Sequence, residues 1–157
     1  MSKIFNRFLL NYGPWQAFER SVARFLIHDG YDDVRLIGGS GDGGGDVVAH
    51  KWGKRFVFQV KFRSSGYIGE EVIQEARNAL VSYDAEVPVV VTNARIPKTL
   101  IDRQAYLQRE MGVPLQIWDS MRLEELQDRL PSSIQDSRPV RQYQSRAVEN
   151  LINSFQD

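Results

Sequence analysis

Gly39-Ser40-Gly41-Asp42-Gly43-Gly44-Gly45-Asp46-Val47-Val48-Ala49, followed by Phe58-Gln59-Val60-Lys61, is the stretch on which the reading of the fold turns. Six of the chain's 12 glycines fall between residues 38 and 45. That density marks a turn under unusual backbone demand, since glycine alone enters left-handed conformations without a Cβ penalty. Residues 46–50 and 55–62 then read as two strands joined across Lys51-Trp52-Gly53-Lys54, a hairpin. Residues two apart on a strand share a face, so Gln59 and Lys61 project together while Val60 turns into the core. Pairing of the hairpin brings Asp46, thirteen residues before Gln59, beside them.

Working outward, Phe18, Val22, Phe25 and Leu26 recur at helical spacing, so residues 13–29 read as an amphipathic helix with Pro14 in its first turn and Gly30 closing it. Residues 34–37 form a short apolar strand. Val72, Ile73, Ala76 and Leu80 place a helix over 69–83, and Val87-Pro88-Val89-Val90-Val91 reads as a buried strand. A helix over 96–110 after Pro97, a strand over 115–117 and a helix over 121–130 ending at Pro131 complete the pattern. The expectation is an α/β fold with a central mixed β-sheet flanked by helices on both faces. It occupies residues 1–130. Residues 131–139 read as a linker, and 140–157 as a separate helix with Val148, Leu151, Ile152 and Phe155 on one side.

A hydrophobic fraction of 42% and a charged fraction of 25% are those of a folded domain rather than a disordered chain. With no cysteine, neither a disulfide framework nor a thiolate metal site is available, and the expected location is cytoplasmic. No apolar stretch approaches the roughly 20 residues a membrane helix needs. Global charge is balanced at 20 basic and 20 acidic side chains, which argues for no particular partner. Locally, residues 47–69 contain no Asp or Glu but hold Lys51, Lys54, Arg55, Lys61 and Arg63. Such a window is either a solvated basic face or a track for nucleic-acid phosphates.

The chemistry follows from Asp46, Gln59 and Lys61. A hard cation such as Mg2+, with Mn2+ as a substitute, takes oxygen ligands. The Asp46 carboxylate, the Gln59 side-chain carbonyl and the Val60 backbone carbonyl could supply them. Lys61 beside such a site could orient water and offset charge on an attacked phosphate. These are the parts of phosphodiester hydrolysis.

The glycine-rich lead-in with Asp46 and Phe58-Gln59-Val60-Lys61 resembles the catalytic core of Mrr-type restriction endonucleases in the PD-(D/E)XK nuclease superfamily. Phe18-Glu19, Gly30-Tyr31, Val89-Val90-Val91-Thr92 and Ile117-Trp118-Asp119 follow in family-like order, so the resemblance runs from about Trp15 to Leu130. It implies a restriction-endonuclease-like core, metal-dependent cleavage of double-stranded DNA in restriction or defence, and catalytic Asp46, Gln59 and Lys61 with Glu19 as an auxiliary acid. Basic residues Lys51, Lys54, Arg55 and Arg63 would then contact DNA, and a homodimer is compatible with the pattern. Gln59 stands where the wider superfamily has Glu or Asp, although Mrr-like members commonly carry Gln. A neutral amide holds a cation less strongly than a carboxylate.

Other readings stand beside this one. Glu19 could be an ordinary helix glutamate, and Asp42 either a second acid or a turn-stabilising Asx residue. His28 and His50 lack a partner nucleophile or second ligand in the pattern, so neither is assigned a catalytic role. The glycine loop lacks the Gly-Lys-Ser/Thr ending of a nucleotide-binding loop. A repair or junction-resolving nuclease, or a non-cleaving DNA-binding module, would share this core. Finally, Arg138-Pro139-Val140-Arg141-Gln142-Tyr143-Gln144 resembles the opening of superfamily II helicases, which would make the chain the nuclease piece of a larger translocase; a plain C-terminal helix is the alternative.

Overall fold

The computed structural model describes residues 3–37, 45–64 and 68–131. Asp42 and the helix expected over 140–157 lie outside the described residues. The architecture is α/β: one five-stranded mixed sheet, in spatial order β1-β2-β3-β4-β5, between two layers of helix.

The centre of the sheet is the hairpin of β2 (Asp46–Lys51) and β3 (Lys54–Lys61), in antiparallel register. The turn is tighter than expected, with only Trp52 and Gly53 between the strands. Both are left-handed, φ 56° and 74°, as a twist-matched two-residue turn requires. β1 (Asp32–Ile37) adds antiparallel to β2. On the other side β4 (Val87–Thr92) and β5 (Gln116–Trp118) add in parallel. All six residues of β4 are buried, which explains its unbroken apolar sequence.

Helix α2 (Trp15–His28) packs the stripe Phe18, Val22, Phe25 and Leu26 onto Val47, Ala49, Phe56, Phe58 and Val60. Gly30, at φ 93°, ends it, and Tyr31 N returns to Leu26 O at 3.0 Å. Helix α3 (Glu71–Ser82) covers the opposite face: Val72, Ile73 and Ala76 share a core cluster with Val90, while Ala79 packs with Val48 and Val57. α4 (Lys98–Tyr106) joins this layer through Leu100. The single helix expected over 96–110 starts later, at Lys98, and loosens into a π-helical turn, Leu107–Met111, ending at left-handed Gly112. α5 (Ser120–Asp128), capped by the Asp119 side chain on Arg122 N at 3.0 Å, packs Leu123 on the α2 side.

A short helix α1 (Arg7–Tyr12) was not anticipated. At six residues it is below the length at which helical periodicity can be read, and packing holds it. Phe5, ahead of it, is clamped by buried Gln127, whose Oε1 accepts from Phe5 N at 2.8 Å and whose Nε2 donates to Phe5 O at 2.9 Å.

Candidate active site

Antiparallel register makes Asp46 and Gln59 direct cross-strand partners. Asp46 shares its face with Val48, and Gln59 and Lys61 share theirs with Val57, so all three face α3. Val60 between them is buried on the α2 side. Its N–H donates to Gly45 O at 2.9 Å. In antiparallel pairing a residue's N–H and C=O face the same neighbour, so the Val60 carbonyl looks toward the start of β2.

The cleft between this strand end and α3 has a volume of about 260 Å3 and is lined by Asp46, Gln59, Glu75, Asn78, Ser82 and Tyr83. Tyr83 Oη donates to Asp46 Oδ2 at 2.8 Å. Gln59 Nε2 stands 3.5 Å from Asp46 Oδ1, at the limit of a hydrogen bond. Lys61 Nζ forms an ion pair with Glu75 Oε1 at 2.7 Å. Burial first, then the bond to Asp46 and its charge, raise the Tyr83 phenol above the usual tyrosine range, so it stays a donor.

Glu19 reaches the same strand end from the opposite layer. Although it sits on a helix, it is only 8% exposed, and its carboxylate lies directly against Gly45, where a Cβ would collide with Oε2. Gly45 is thus required for room rather than for turn conformation. Burial, then the nearby charge of Asp46, push the Glu19 carboxyl from 4.5 up to about 7, with Arg20 opposing. Glu19 Oε2 and Gln59 Oε1 are both buried without a hydrogen-bond partner. A buried carboxylate oxygen with no donor, close to Asp46, fits a cation, and a half-turn of the Gln59 amide would bring its unsatisfied oxygen toward Asp46 as well. Among the described residues no three of His, Cys, Asp and Glu cluster as ligands, so such an ion would rest on two carboxylates, an amide and backbone.

The remaining sequence candidates lie elsewhere. Lys51 and Lys54 pair at the turn end of the hairpin, five strand positions from Asp46. Lys51 Nζ binds Asp29 O at 2.7 Å and lies 4.6 Å from the Tyr31 ring centroid. Arg55 donates to His50 Nε2 at 3.2 Å and to Tyr83 O at 3.1 Å. Lys54 is exposed. Arg63 follows β3 at the Asp46 end, its N–H held by Asn93 Oδ1 at 2.8 Å. The acid-free window is therefore two separate basic places. Tyr83 and Glu75 were missed in sequence. Glu75, Asn78, Ala79 and Ser82 do lie at helical spacing as the polar and small side of α3, but nothing in the sequence says that side faces Asp46.

The family model of Mrr catalytic domains, described as restriction endonuclease, matches residues 11–127. The chain belongs to this restriction endonuclease family, and its fold is the restriction-endonuclease-like α/β core. No curated protein sequence matches it. The family match stops before residues 138–144, so it lends the helicase resemblance no support. Among the described residues, no helix is long and apolar enough to cross a membrane.

Proposed function

We propose that this chain is a divalent-metal-dependent DNA endonuclease, hydrolysing phosphodiester bonds as the cytoplasmic nuclease module of a restriction or defence system. The observation that carries the reading is the pairing of Asp46 with Gln59, with Lys61 two residues on and the unsatisfied Glu19 carboxylate at the same strand end. Asp46, Gln59 through its side-chain carbonyl, the Val60 backbone carbonyl and Glu19 would hold Mg2+, or Mn2+ in its place. When bound, the ion polarises the phosphate and activates the attacking water.

Lys61 offsets the negative charge that develops on the phosphate, and Glu75 fixes where its ammonium stands. Glu19, whose carboxyl burial and the charge of Asp46 push up to about 7, would have to be deprotonated to hold the ion. Arg63, just beyond Lys61 at the same strand end, would contact DNA near the site. Lys51 and Lys54, five strand positions from Asp46 and Gln59, and Arg55, four positions from Gln59, would make a second DNA contact about 14–17 Å away at about 3.4 Å per strand residue. Cutting both strands at one place is most simply done by two copies, a homodimer.

Gln59 presents its Nε2, not its oxygen, to Asp46. That arrangement favours a second reading, a DNA-binding module that does not cut. A half-turn of the amide exchanges the two atoms and restores the ligand. Plasmid cleavage with and without Mg2+ separates the readings: nicking only with the ion supports the nuclease, and DNA binding without nicking supports the module. Four-way junctions cut in preference to plasmid would point to a repair or junction-resolving nuclease. An attached helicase segment is the proposal that the Arg138–Gln144 resemblance carries. Reading the gene beyond the Asp157 codon for a phosphate-binding loop tests it.

A further inference from the structure

A carboxylate that binds a cation through one oxygen must be kept from turning, and the terminal torsion of aspartate is broad and nearly two-fold. Two side chains approach the Asp46 carboxylate. Gln59 Nε2, at 3.5 Å from Oδ1, is too distant to hold it. Tyr83 Oη, at 2.8 Å from Oδ2, donates a full hydrogen bond to it. The tyrosine is itself fixed. It stands at the C-terminal end of α3, and its backbone carbonyl accepts from Arg55 Nη1 at 3.1 Å. Arg55 is held in turn by main-chain bonds, its N–H to Glu86 Oε1 at 2.9 Å and its carbonyl to Glu86 N at 2.8 Å. Tyr83 is only half-buried beside an open cleft, so water could satisfy its hydroxyl, and burial alone does not force the bond to Asp46.

We propose that Tyr83 is a positioning residue for Asp46: its hydroxyl engages Oδ2 and thereby presents Oδ1, the oxygen facing Gln59, to the cation. The proposal rests on the reading that Asp46 is the anchoring ligand. Partners of metal ligands that do not themselves touch the metal typically change its affinity by about 10–100-fold when removed. Tyr83→Phe keeps the ring and deletes only the hydroxyl.

The test is calorimetric titration of the full chain with Mn2+, for the wild type, Tyr83→Phe and Asp46→Ala, with melting temperatures of the ion-free proteins alongside. The expected result is that Tyr83→Phe binds Mn2+ about 10–100-fold more weakly at an unchanged melting temperature. Its DNA cleavage should recover at saturating Mn2+, moving the half-maximal metal concentration but not the limiting rate. Wild-type Mn2+ affinity in Tyr83→Phe, with binding lost in Asp46→Ala, overturns the positioning role and leaves the site reading intact. Wild-type affinity in Asp46→Ala itself overturns the site reading, and the role of Tyr83 with it. A fall in melting temperature alongside lost binding assigns Tyr83 to the scaffold and also overturns the proposal. So does cleavage that stays low at saturating Mn2+.

Discussion

Replacing Glu19 by Gln probes the centre of the site without needing activity. In the ion-free protein the Glu19 carboxyl is raised from 4.5 to about 7, by burial first and by Asp46 second. From 4.5 up to about 7 the folded chain holds a proton that the unfolded chain has released. Stability contributed by the protonated group is therefore complete below the lower value and is lost as pH rises through the upper one. At about 1.4 kcal/mol per pH unit, the full displacement amounts to at most about 3 kcal/mol, of which about 2 kcal/mol falls between roughly pH 5.5 and 8.5. Glutamine matches the protonated acid in shape and carries no charge at either pH.

Urea unfolding of both proteins in EDTA should therefore show a stability difference that shifts in favour of Glu19→Gln by up to about 2 kcal/mol from roughly pH 5.5 to 8.5. Comparing the two proteins cancels every other titrating group. With Mn2+ near pH 8 the difference should move back toward the wild type, because binding to the native state stabilises it. A difference that is the same at both pH values would refute the reasoning: Glu19 would then be solvated and not available as a strained acid.

Asp46→Ala should abolish cleavage and metal binding together, whereas Lys61→Ala should cut the rate by orders of magnitude with a smaller change in metal binding; plasmid assays and Mn2+ titration compare them. Gln59→Glu adds an anionic ligand, so its Mn2+ affinity should equal or exceed that of the wild type. Gly45→Ala places a methyl where Glu19 Oε2 lies, so it should displace the carboxylate, cost about 1–3 kcal/mol in urea unfolding, and weaken Mn2+ binding. Lys54→Glu should lower DNA affinity and flatten its salt dependence by about one unit of slope, read by fluorescence anisotropy across a salt series. An unchanged slope would remove Lys54 from the DNA contact.

The elements that could be read from sequence were those whose reason for existing is local. Phe18, Val22, Phe25 and Leu26 mark α2 by spacing alone, and the alternation through Gln59, Val60 and Lys61 assigns opposite faces because a strand's period is two. The close succession of Asp46 and Gln59 around one turn made their pairing predictable. Tertiary structure alone decided the rest. Lys51 and Lys61 fall in one basic window, yet a hairpin carries its turn and its open end apart, so the window splits. For Glu19 the sequence left an auxiliary acid and an ordinary helix glutamate both open, and only the packing of α2 on the sheet buries it against Gly45. Tyr83 and Glu75 come from a third element, whose azimuth over the sheet is set by packing of Val72, Ala76 and Ala79. Periodicity states which side of a helix is apolar, but which acid that side's edge will meet depends on contacts between residues far apart in the chain, and no local pattern encodes them.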